Sequence, residues 1–97
     1  MAYTEKEKEL ITTLLGKIEL IEEILTSKGI NVSDSYKYII KVKNILKNKD
    51  EKGMKNVKQH LFMDFRQMFE SSTSFEELNI LVEESFRIAI LNSIFNK

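Results

Sequence analysis

Apolar residues recur along this chain at intervals of three and four, and β-branched residues never alternate cleanly with polar ones. That is the period of amphipathic helices. The first stretch carries Ile11, Leu14, Ile18, Ile21 and Leu25, spaced 3, 4, 3, 4, with Leu10, Leu15 and Ile24 widening the stripe. Thr4-Glu5-Lys6-Glu7 has the form of a capping box at its start. Gly29, after Ser27-Lys28, reads as the glycine that ends the helix. The pattern predicts a helix over 5–28. Gly16 lies inside the stripe and reads as a point where a neighbouring helix comes close.

Beyond a short loop at Ile30 to Ser33, a second helix is predicted over 34–47, capped by Ser33 or Asp34. Tyr36, Tyr38, Ile39, Ile40, Val42, Ile45 and Leu46 are its apolar residues, and Lys37, Lys41, Lys43 and Lys47 cover the rest. Lys47-Asn48-Lys49-Asp50 breaks the pattern and makes a tight connection, which sets the next helix roughly antiparallel. That third helix, over 51–70, has Met54, Val57, Leu61, Phe65 and Met68 on its core face, flanked by Phe62 and Phe69. A fourth helix, over 75–95, follows the break at 70–73 and a second capping box, Ser74-Phe75-Glu76-Glu77. The fold class expected is all-α: a compact antiparallel four-helix bundle formed by residues 1–97 as one domain. Leu14, Ile18, Ile21, Leu61, Phe65 and Leu81 are its expected core.

The end of the fourth helix departs from a single stripe. Ile88, Ala89, Ile90, Leu91, Ile94 and Phe95 are apolar nearly all round. Successive helical residues point about 100° apart, so part of this surface has no place in a simple bundle. The loop carrying Ile30 and Val32, a second copy of the chain, or a different partner would cover it.

Composition narrows the function. The chain has 97 residues and no Cys, so disulfides and thiolate metal sites are excluded, and a reducing cytoplasmic setting is expected. No charged start leads into an apolar signal stretch. The longest uninterrupted apolar run is the four residues Ile88 to Leu91, against the roughly 20 of a membrane span. Net charge is zero, yet residues 1–36 carry −3, residues 37–66 carry +6 and residues 67–97 carry −3. Two readings of the basic middle are open: lysines paired with the acidic first and last helices, or a patch for an anionic partner.

Catalytic patterns are missing. His60 is the only histidine, so sites needing two or three histidines are excluded. His60 and Asp64 are four apart, but no Gly-x-Ser-x-Gly elbow supplies a nucleophile. No phosphate-binding glycine loop surrounds Gly53. Neither enzymatic activity nor a cofactor is expected. Nucleic acid is not the expected partner either, because the cations of the 37–58 region are all Lys and the sequence pI is about 6.6. The richest segment is Met63-Asp64-Phe65-Arg66-Gln67-Met68-Phe69. It reads either as a phenylalanine-rich core with Asp64 and Arg66 solvated, or as an aromatic and Arg hot spot. The candidate partner interface is therefore Phe62, Arg66, Phe69, Ile90, Ile94 and Phe95.

In length, in four amphipathic helices, in abundance of Lys, Ile and Asn and in lack of Cys, the whole chain resembles the small cytosolic immunity proteins that bacteria carry against bacteriocins. Asp50-x-x-Gly53 and Met63-Asp64-Phe65-Arg66 belong to the same likeness. The resemblance implies binding without catalysis, with a toxin, a bacteriocin or its receptor as protein partner. No residue role is carried over, because no diagnostic motif is present. The alternatives from the residues are a small nucleic-acid-associated regulator using the Lys-rich 37–58 region, or a helical subunit that forms a homodimer.

Overall fold

Thr4 opens the first helix through the capping box that the sequence predicts: its hydroxyl accepts the Glu7 N–H at 3.1 Å and the Glu7 carboxylate accepts the Thr4 N–H at 2.9 Å. From there α1 runs Glu5–Ser27. It ends as expected at Gly29, whose φ of 85° is left-handed. The Ile30 N–H reaches back to the Leu25 carbonyl and the Gly29 N–H to Thr26, a complete Schellman motif. The computed structural model describes residues 3–70 and 76–96. All elements among them are helical: α1, α2 (Val32–Ser35), α3 (Lys37–Asn48), α4 (Glu51–Met54), α5 (Val57–Glu70), α6 (Glu76–Leu91) and a 3₁₀ turn, Ser93–Phe95. Four of the helices are long. The second capping box and Phe75 lie on or beside residues 71–75, outside the described residues.

The periodic stretches are thus helical, but three are interrupted. The second is split at Tyr36 (φ −134°, ψ 66°) into α2 and α3. Asn31, not Ser33 or Asp34, caps α2. The third is split at Lys55-Asn56, with Asp50 capping the short α4 by accepting the Lys52 and Gly53 N–H groups. Gly53 is needed there, because a Cβ would stand 2.8 Å from Ile45 Cγ1. The fourth stops at Leu91. The Asn92 side chain donates to the Ile88 carbonyl at 2.8 Å and Asn96 to Ala89 at 2.7 Å, which satisfies the free end of α6. The chain then folds back.

Among the long helices α1 packs on α3 and α6, α3 also packs on α5, and α5 also packs on α6. The five seam residues of α1 are all buried, as are Met54, Val57, Leu61, Phe65 and Met68. Leu81, expected in the core, is only partly buried against it. Ser85, one turn on, occupies a fully buried position on α6 instead. Val32 is buried, and α2 packs chiefly on α3 and α1. The radius of gyration, 12.7 Å, matches the roughly 12.5 Å of a folded chain of this length. No helix among the described residues is long and apolar enough to cross a membrane.

Gly16 is exposed and a Cβ there would meet nothing within 4 Å, so no helix approaches it. Gly16→Ala is expected to stabilise the chain by up to about 1 kcal/mol through helix propensity alone. Ile18→Ala, at a fully buried position, is expected to cost about 2–5 kcal/mol. Urea unfolding of the two variants checks both signs.

Candidate interaction surface

The rotation of α5 decides what the chain shows to solvent. Asp64 and Gln67 share one face of this helix and hold the break between α2 and α3. Tyr36, at the N-terminus of α3, makes no side-chain cap. The Asp64 carboxylate supplies one from 25 residues away, accepting the Ile39 N–H at 2.7 Å. The Tyr38 N–H also acts on it. The Gln67 amide donates to the Ser35 carbonyl at 3.0 Å. Asp64 is therefore buried, not solvated, at 3% exposure. A carboxylate at a helix N-terminus is held by the unpaired N–H groups and by the positive end of the helix dipole.

This use of Asp64 bears on His60. The histidine is not a surface residue beside a carboxylate. Its ring stacks on Tyr38 (centroids 5.1 Å apart, 16° between planes) and its Nδ1 is buried with no hydrogen-bond partner. Burial, and secondarily Lys41, holds its pKa below the usual imidazole value. The pair is part of the α3–α5 packing.

Phe62 and Arg66 stand on the opposite edge of α5. They flank Asp64 at two residues on either side, about 200° around the helix from it. Phe62 is 50% exposed, and its ring lies 6.1 Å from that of Phe86 on α6. Phe65 meets Phe86 edge-on at 6.3 Å from the buried side. Together these rings, with Val82 and Asn79, form an apolar cleft between α5 and α6, with Arg66 and Glu83 at its rim. The cleft extends past Phe62 and Phe86 to Ile90 and Lys58.

Of the residues singled out from the sequence, Phe62, Arg66 and Ile90 come together on this surface. Ile94 does not: it is partly buried against the core. Phe95 is the clear correction. The break at Asn92 swings it inward to 0% exposure, so it is a core residue and cannot meet a partner while the fold holds. The Phe69 side chain lies outside the described residues. Phe86 was legible only as one more apolar residue of the fourth helix. Its place opposite Phe62 depends on the pairing of α5 with α6.

The charges settle in part as expected. Lys43 bridges to Glu22 at 2.7 Å, joining α3 to α1, and Lys17 bridges to Glu84 at 2.9 Å, joining α1 to α6. But Lys37, Lys41, Lys47, Lys49, Lys52 and Lys55 are exposed and make no ion pair among the described residues. Most lysines of the basic middle thus make no ion pair among the described residues. No family model matches this chain, and comparison with curated proteins and with solved structures gives no significant match.

Removing the Asp64 carboxylate takes from the Ile39 N–H the nearer of its two acceptors, the other being the Tyr36 carbonyl at 3.2 Å, so Asp64→Ala is expected to cost about 1–3 kcal/mol. Asp64→Asn keeps an acceptor and should cost less. Burial raises the Asp64 pKa above the ordinary carboxylate value, against the opposing pull of the Ile39 and Tyr38 N–H groups. The folded chain thus holds this proton more tightly than the unfolded one. The part of the stability linked to this proton is fully present below the ordinary carboxylate pKa and is lost as pH rises through the folded value, while the hydrogen bond from the Ile39 N–H is made in either form. Denaturation at a series of pH values should show the native chain losing stability relative to Asp64→Asn across that window and levelling off above it.

Proposed function

We propose that this protein is a non-catalytic binding module of the immunity or inhibitor kind, an antiparallel four-helix bundle that presents the α5–α6 cleft to a protein partner such as a toxin, a bacteriocin or its receptor. The observation that carries the reading is the half-exposed Phe62 stacked on Phe86 beside Arg66. Aromatic and Arg side chains at the edge of an apolar depression are the usual anchors of protein interfaces. Exposing a phenylalanine ring to water is unfavourable, and a partner's apolar side chain seated in the cleft removes that cost. The Asp64 and Gln67 contacts hold α5 in one rotation, so the cleft exists before the partner arrives, which lowers the cost of binding. The resemblance in length, helical make-up and Lys, Ile and Asn content supports the immunity kind.

A second reading draws on the unpaired lysines of the 37–58 region, which would serve an anionic partner such as nucleic acid.

Expression of the chain in a bacteriocin-sensitive strain tests the first reading. Protection from one member of a bacteriocin panel is expected, with loss of protection in Phe62→Ala at unchanged stability. Full protection by Phe62→Ala would exclude the cleft. For the second reading, an electrophoretic shift of random duplex or single strand at micromolar protein, relieved steeply by salt, is the expected signature. Its absence at physiological salt would set that reading aside.

A further inference from the structure

α6 carries large apolar side chains on two faces where a helix that serves only its own core needs one. The inner seam is Leu78, Val82, Ser85 and Ala89, all buried. On the outer side Ile80, Glu83, Arg87 and Ile90 follow one another at spacings of 3, 4 and 3. Ile80 is 54% exposed, Ile90 50%, and Leu91 beside them 72%. A 3–4–3 spacing is the heptad seam of a helix pair, and it keeps facing one neighbour along its length.

The order of residues in the outer seam selects the neighbour. In an antiparallel pair of identical helices, residues whose numbers share a constant sum lie opposite each other. With Ile80 opposite Ile90 of a second copy, that sum also places Glu83 opposite Arg87 of the copy. The two-fold axis repeats both contacts. The seam is thus a palindrome in both hydropathy and charge: apolar ends meet apolar ends, and acid meets base twice at the centre. Parallel pairing would set Glu83 on Glu83 and Arg87 on Arg87, which is repulsive. We propose that the outer face of α6 pairs with the same face of a second copy of this chain, antiparallel, to give a homodimer.

The surroundings fit such a neighbour. Glu83 and Arg87 stand 3.6 Å apart on their own helix with both side chains largely exposed, so the pair opens into a four-charge ring with no buried group to desolvate first. Shallow depressions flank the seam, one toward Lys17 of α1 and one beside Phe86, and receive the opposing side chains. At 16 residues, α6 is about 24 Å long. A contact one helix wide over that length falls below the roughly 800 Å² per partner of a standard stable interface, and further below that of a permanent dimer, so the dimer forms and dissociates with concentration. The seam shares Glu83 and Ile90 with the edge of the cleft, but the inference does not rest on the cleft reading, since Phe62 and Arg66 make none of its contacts.

Sedimentation velocity of the full chain across the micromolar to millimolar range is the test. The expected result is a shift from monomer to dimer mass. Glu83→Arg alone and Arg87→Glu alone each place four like charges at the centre and should weaken the dimer by about tenfold or more. The double variant, E83R with R87E, keeps the palindrome with the signs exchanged and should restore the native dissociation constant to within about threefold. Both positions are exposed, so all three variants fold, and helical circular dichroism checks that they do. A native chain that stays monomeric throughout, a dimer indifferent to the single reversals, or a double variant no better than the singles would each overturn the proposal.

Discussion

Asp64 accepts the Ile39 N–H at 2.7 Å from inside the seam between α3 and α5, and much of the architecture follows from that contact. A helix that begins at a tyrosine without a capping side chain has unpaired N–H groups at its start. Buried without a partner, each such group costs as much as the hydrogen bond it lacks. The carboxylate removes that cost, and in doing so it fixes where α3 begins and how α5 is turned. Gln67 takes the Ser35 carbonyl on the other side of the same break, so one face of α5 holds both chain ends at the kink. Leu61 and Met68 lie near that face and are buried with it.

The exposed side of α5 is the complement of this arrangement. Because Asp64 faces α3, Phe62 and Arg66 must face away from it, toward the edge of α6. The cleft is a consequence of helical rotation as well as of local composition. The same logic separates the two faces of α6. Its buried seam carries Ser85, whose hydroxyl has no hydrogen-bond partner, while isoleucines stand outside at Ile80 and Ile90. A helix selected only for its own core would have the polar and apolar residues the other way round. The inversion is the sort of local conflict that marks surfaces used for association.

Much of this was legible along the chain, and what was not has a common cause. The Thr4–Glu7 box, the Gly29 motif and the 3–4 seam of α1 are local, so neighbouring residues are enough to specify them. The break at Tyr36 is not local: the periodicity of α2 and α3 is continuous, and the group that makes a break favourable is Asp64, 25 residues from Ile39. For the same reason Asp64 passes for a solvated charge when read in its own helix. Phe95 extends the apolar pattern of the last helix without interruption, while the turn that buries it depends on Asn92 and Asn96 side chains capping α6. Among the candidate interface residues, Phe62, Arg66 and Ile90 kept their surface character because they follow the outward faces of α5 and α6. The unpaired lysines of the basic middle were obscured for a different reason, since net charge by segment says nothing of which way each side chain points.

Amide hydrogen exchange at Ile39, followed by NMR, tests the central contact most directly. N–H groups in the first turn of a helix ordinarily exchange fast, because they have no intrahelical carbonyl to bond. The Ile39 N–H also reaches the Tyr36 carbonyl at 3.2 Å, so the contribution of Asp64 is read against Asp64→Ala. If Asp64 holds the start of α3, the native Ile39 amide exchanges only on global unfolding, as slowly as the amides in the middle of α1, and the amide of the variant exchanges much faster. Exchange as fast as that of an open first turn would contradict the account, and with it the reason given for the rotation of α5.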